Sequence, residues 1–142
     1  MFITNRDFTV NKKKPWANMT YNARELALPD NGGVACFKKE IELDRTVSKA
    51  VITATSLGIF ELYVNGVRVS DNGTFDELKP GWTEYKKRVM SFTYDITDLL
   101  QSGKNSIIAE VSSGWYAGRI SFSSYGYKTP SFCGEIVLIF AD

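Results

Sequence analysis

The run Phe60-Glu61-Leu62-Tyr63-Val64-Asn65-Gly66-Val67-Arg68-Val69 leaves little choice of local structure. Apolar and polar residues alternate up to Val64, and the alternation resumes at Val67. A period of two puts the two sets of side chains on opposite faces of an extended strand. Asn-Gly tolerates positive φ at both central positions, as a type I′ hairpin turn requires. The run therefore predicts two antiparallel strands joined by a two-residue loop.

Strand signals extend along most of the chain. Residues 37–43, 49–55, 88–94, 106–111 and 134–140 are short, alternating or β-branched runs, and 119–122 is a shorter one. A single helical turn is expected over 95–103, where Asp95 is a capping type and Gly103 a stop. No amphipathic helix of ordinary length appears. Many short strands with turn residues between them predict an all-β fold, an antiparallel β-sandwich with a closed barrel as the lesser alternative. Three long stretches interrupt the strands: 9–33, with Pro15 and Trp16 as anchors, 70–87, and the Gly/Ser/Tyr-rich 112–129. Connections of that length in a compact domain tend to carry function. With 142 residues and no linker, the chain reads as one domain, with 1–34 an irregular lead-in and 35–142 the sandwich.

Composition excludes several chemistries. The chain has no histidine, which removes imidazole acid–base catalysis, His-dependent nucleophilic triads and His-ligated metals. Lys+Arg is 17 against 16 for Asp+Glu, a balance that argues against nucleic acid or a membrane surface as partner. No run of about 20 apolar residues is present to span a membrane. Cys36 and Cys133 lie in apolar strand-like runs and read as buried free thiols. Lys12-Lys13-Lys14 reads as a solvated basic face.

Oxygen-bearing and aromatic side chains remain as candidates. Asp76-Glu77 reads as a solvated loop, and Asp95 as a helix cap beside Asp98, so neither pair makes a glycosidase couple. Asp71-Asn72-Gly73-Thr74 and Pro29-Asp30-Asn31-Gly32-Gly33 gather carboxylate, amide and glycine. Calcium takes about six to eight oxygens from such groups, but the same residues build plain turns, and both readings stand. Trp82, Tyr85, Trp115, Tyr116, Tyr125 and Tyr127 sit on or near the long loops. Flat rings pack on the apolar faces of sugars, while carboxylates, amides and guanidinium groups bond their hydroxyls. The competing reading makes Trp82 and Trp115 plugs at the ends of the core.

An ordered series of motifs then becomes recognisable. The hairpin run is followed by Leu78-Lys79-Pro80-Gly81-Trp82-Thr83-Glu84-Tyr85-Lys86-Lys87-Arg88, then by Thr93-Tyr94-Asp95-Ile96-Thr97-Asp98-Leu99-Leu100. Gly103-Lys104-Asn105 and Ser113-Gly114-Trp115-Tyr116-Ala117-Gly118 come next. The series, over about residues 35–140, resembles the N-terminal β-sandwich domain of bacterial α-L-rhamnosidases. The resemblance implies a jelly-roll or galactose-binding-like accessory domain ahead of an (α/α)6 barrel that carries the acids of an inverting glycosidase. It implies that this chain is a catalytically silent piece of a multidomain enzyme, joined to the catalytic domain of the same polypeptide. The parent is expected to be periplasmic or extracellular.

Some relatives of that kind hold L-rhamnose through calcium, with an Asn before the Gly-Trp-Tyr motif. Here Ser113 stands at that place, and a hydroxyl is a poorer calcium ligand than an amide carbonyl. The expected carbohydrate-binding residues are Asp71, Asn72, Ser113, Trp115, Tyr116 and Arg119, on the two long loops where a sandwich gathers its variable surface. Should calcium take part, Asp30, Asn31, Asp71 and Asn72 are the expected oxygen donors. The alternative to a glycan-binding role is a structural one, in which the sandwich packs on the barrel and stabilises it.

Overall fold

The computed structural model describes residues 3–4, 34–71, 76–120, 123–124 and 129–141. The strands are β1 (Ile3–Thr4), β2 (Ala35–Leu43), β3 (Val47–Leu57), β4 (Ile59–Val64), β5 (Val67–Arg68), β6 (Phe92–Asp95), β7 (Gly103–Ser112), β8 (Arg119–Ile120), β9 (Ser123–Ser124) and β10 (Ser131–Phe140). A 3-10 turn covers Thr97–Leu99, and a short helix, α1, covers Gly114–Ala117. Two four-stranded antiparallel sheets, in the orders β1-β10-β3-β6 and β2-β7-β4-β5, make the sandwich, and β8-β9 is a separate ribbon. The sandwich expectation holds and the barrel alternative does not.

Period-two alternation fills the core. β3 turns Ala50, Ile52, Ala54 and Ser56 inward, and β4 turns Phe60, Leu62 and Val64 toward them. Ile107, Ala109 and Val111 of β7, with Tyr94, Ile96 and Phe132, complete the cluster. Phe60 meets the Phe132 ring edge-on with centroids 5.8 Å apart, a favoured aromatic geometry. The register sets Leu62 beside the small Ala109, and Ile52 beside Ile136.

The hairpin forms as its sequence dictates. Asn65 has φ 52° and Gly66 φ 81°, both left-handed. Beyond Arg68 the chain keeps to β4, with the Val69 N–H donating to the Leu62 carbonyl at 2.8 Å, and Val69 is buried. It thus runs back toward the start of β4, where Ile59 pairs with Ser112 at the end of β7. The turn and the two long loops therefore lie at opposite ends of β4.

Three local expectations need correction. The strand read over 88–94 joins the sheet only from Phe92; Met90 is instead held by its carbonyl, which accepts from Thr55 Oγ1. Asp95 ends β6 rather than capping the turn as its first residue, yet its carboxylate accepts from the Thr97 N–H and hydroxyl at 2.9 and 2.5 Å. The cysteines form no disulfide with each other, and neither is buried. Cys36 alternates outward from Ala35 on β2 and is exposed, and Cys133 points outward beside the buried Phe132 on β10. They occupy the outer faces of different sheets, out of reach of each other.

Candidate functional site at the loop end

Gly114 opens α1 with φ +48°, and a Cβ there would lie 2.6 Å from Ile59 Cγ1 and 3.0 Å from the Ile59 backbone nitrogen. Glycine is what lets the Gly-Trp-Tyr segment cross close over the start of β4. The turn is closed by Ala117 and Gly118 N–H groups donating to the Ser113 and Gly114 carbonyls, each at 3.0 Å. Ser113, Trp115 and Tyr116 are all partly buried there. Burial pushes the Tyr116 phenol above its ordinary range.

The second loop reaches α1 through one contact between rings. Tyr85 packs edge-on against Tyr116 with centroids 5.2 Å apart. Within the same loop Trp82 is 57% exposed, so it is no core plug; Trp115, partly buried, is not a fully sunk plug either. Asp71 is exposed. Asn72, Asp30 and Asn31 lie outside the described residues, as does the side chain of Arg119, whose backbone begins β8. The structure thus groups Ser113, Trp115 and Tyr116 on α1 and joins them to the Asp71-bearing loop by way of Tyr85. Among the described residues no three carboxylates or thiols gather at one point, so those donors alone do not form a calcium cage.

Asp76 was expected to be solvated, and the structure overturns that. It is 5% exposed, and Lys79 is fully buried. Lys79 Nζ lies 2.9 Å from Asp76 Oδ1 and 3.7 Å from Glu61 Oε2, and donates to the Val69 carbonyl at 3.4 Å. It also stands 5.6 and 5.2 Å from the Phe60 and Tyr94 ring centres, inside cation–π range. The Ser70 hydroxyl donates to Asp76 Oδ2, and Tyr94 Oη to Oδ1 at 3.3 Å. Arg68 Nε and Nη2 donate to the two Glu61 carboxylate oxygens at 2.7 and 3.1 Å, and Nη1 lies 3.4 Å from Asp76. Burial alone would raise the Asp76 carboxyl, but bonds from Ser70 and Lys79 and the charges of Lys79 and Arg68 outweigh it and hold it below its ordinary value. Nothing in the spacing of Asp76 and Lys79 foretold this cluster, because its other members come from β4, β5 and β6.

Residues 45–142 match the family model of the α-L-rhamnosidase N-terminal domain. The chain belongs to that family. Among its relatives in this α-L-rhamnosidase group, one from Formosa agariphila is 43% identical over 95 residues, which is 66% of this chain and 10% of the relative. Another, from Streptomyces avermitilis, is 40% identical over 100 residues, 69% of this chain and 9% of the relative. The solved structure of the Streptomyces avermitilis α-L-rhamnosidase complexed with L-rhamnose superposes with TM-score 0.67 at 38% identity, over 75% of this chain and 10% of that one. The Aspergillus terreus enzyme gives 0.64 at 36% identity, over 72% of this chain and 12% of that one. The chain spans about a tenth of the length of the curated relatives it matches.

Proposed function

We propose that this chain is a non-catalytic carbohydrate-recognition domain of a larger α-L-rhamnosidase-like glycoside hydrolase, and that it recognises rhamnoside at the loop end of the sandwich. The Tyr85–Tyr116 contact carries the reading, since it couples the two long loops, one of which presents Trp82 at 57% exposure. A large exposed ring on a loop held by a rigid scaffold suits the apolar face of a sugar. Asp71, and with it Asn72, supplies oxygens to hydroxyls; Trp115, Tyr116 and Arg119 complete the site, with Ser113 at the start of α1. Chemistry belongs elsewhere in the polypeptide, on the acids of an inverting catalytic barrel. Among the described residues, the buried Asp76 and half-buried Glu61 at this end are already committed, to Lys79 and to Arg68. Isothermal titration of the 142-residue chain with L-rhamnose and rhamnose-containing oligosaccharides, with and without calcium, tests the reading. Heat is expected with at least one of them; its absence throughout refutes sugar recognition. The same chain should leave an aryl α-L-rhamnoside unhydrolysed.

A structural role is the second reading, and a different surface favours it. Val137 and Ile139, each 53% exposed, lie on the outer face of the β10-β3-β6 sheet, opposite Val51 and Lys49. The remainder of the same polypeptide is the fitting cover, given how small a share of its relatives the chain represents. Removing this segment from the whole enzyme should then lower its melting temperature or its activity. If both are unchanged, this reading is wrong.

A further inference from the structure

Lys79 and Asp76 stand between two residues of the proposed site. Asp71 follows Ser70, whose hydroxyl is bound to Asp76, and Trp82 lies three residues beyond Lys79. The Lys79 carbonyl accepts from the Phe60 N–H at 2.8 Å, and the Gly81 N–H donates to the Leu78 carbonyl at 2.9 Å. Side chain and backbone of Lys79 therefore fasten the loop to β4 and to the exit of β5 at once. From this geometry we infer that the buried Lys79–Asp76 pair is a positioning device, which holds residues 76–82, and with them the exposed Trp82, in their ligand-ready shape. The inference rests on the carbohydrate-recognition reading.

The argument from energetics separates positioning from plain stabilisation. A buried ion pair adds little net stability over well-packed apolar side chains of similar volume, because two charges must leave water. What directional hydrogen bonds add is choice among conformations. Asp76 accepts from Ser70 and Lys79 of its own loop and from Tyr94 of β6, and the three directional bonds together constrain the backbone at Asp76 and Lys79. Two leucine-like side chains would fill the same space along many paths.

The test uses the full chain with Asp76→Leu/Lys79→Met, read by hydrogen exchange without ligand and by titration with L-rhamnose. Exchange at residues 76–81 and at the Phe60 amide should quicken, while β3 and β10 stay protected and the urea midpoint stays near that of the parent chain. If the competent loop falls to about a tenth of the population, rhamnose affinity falls about tenfold. Unchanged exchange over 76–81 overturns the inference. If the double variant does not fold, Tyr94→Phe removes one bond to Asp76 and should quicken exchange over 76–81 selectively; no change there overturns it equally. Exchange needs no sugar, so a parent chain that binds no rhamnose defeats the recognition reading and leaves the positioning result legible.

Discussion

Asn65 Nδ2 donates to Asn105 Oδ1 across 2.8 Å, and the two amides bind the hairpin turn to the turn that leads into β7. Asn65 also donates to the Leu99 carbonyl at 2.8 Å and accepts from the Ser106 N–H at 2.9 Å. Asn105 accepts from the Gln101 N–H at 2.9 Å and donates to the carbonyls of Gln101 and Gly103 at 2.7 and 3.0 Å. Asn105 is 2% exposed, so Asn105→Ala leaves several buried polar groups unmatched. A loss of about 2–3 kcal/mol is expected, seen as a lower urea midpoint at constant m-value.

Gly58 sits at a tight backbone crossing between β3 and β4. Its φ is +134°, and a Cβ would sit 2.3 Å from the Ser112 carbonyl oxygen, an atom that a strand cannot move aside. Gly58→Ala should cost about 3 kcal/mol or more, through strain and clash together. At Gly114 the nearest atom belongs to the Ile59 side chain, which can yield in part. Gly114→Ala should therefore cost less than Gly58→Ala, while shifting the near-ultraviolet circular dichroism of Trp115 and Tyr116.

Acid should destabilise the fold in part through Asp76. Its folded carboxyl titrates below the ordinary value of 3.8, so on acidification the unfolded chain binds that proton before the folded chain does. The contribution to stability is complete above the unfolded value and disappears as pH falls through the folded one. The groups facing the carboxyl are Ser70, Lys79, Arg68 and Tyr94, with Glu61 near Lys79. Melting temperature should be level from about pH 7 to 5 and fall below about pH 4, more steeply in the parent chain than in Asp76→Asn. Equal acid slopes would exclude Asp76 as the source.

Trp82→Ala separates binding from folding. With 57% of the residue exposed, the substitution should change stability by less than about 1 kcal/mol. Rhamnose binding by titration should disappear. A large loss of stability would restore the core-plug role.

Much of the sandwich could be read from residue order, because alternation is a local property. Phe60–Val64 and the Asn65-Gly66 turn appear where the pattern puts them, and the β3 run gains two residues at each end. Where tertiary contacts decide, the pattern misleads. The stretch 112–129 shows only a short strand signal at 119–122, where β8 begins, and no helix signal, yet it also contains α1, because Gly114 permits a close crossing over Ile59. Cys36 sits among apolar neighbours in the sequence but takes the outward place in the alternation. Lys79, a cation in a loop beside proline and glycine, gives no hint of burial; its partners Glu61, Val69 and Tyr94 are distant along the chain. Asp71, Ser113, Trp115 and Tyr116 could be nominated from their types, whereas the ring contact that joins their loops could not.

β3 lies between β10 and β6, and its register with β10 runs from Leu57↔Ser131 to Val47↔Phe140. Its longest partner is thus made last. On the ribosome, β2, β4, β5 and β7 can assemble their whole sheet while β3 has only β6 beside it and the face of Ala50, Ile52 and Ala54 waits to be closed. Emergence of Ser131–Phe140 completes the layer, so a nascent chain stalled before that point exposes an apolar strand edge to neighbouring chains. The time taken to deliver that one strand sets how long the edge stays open.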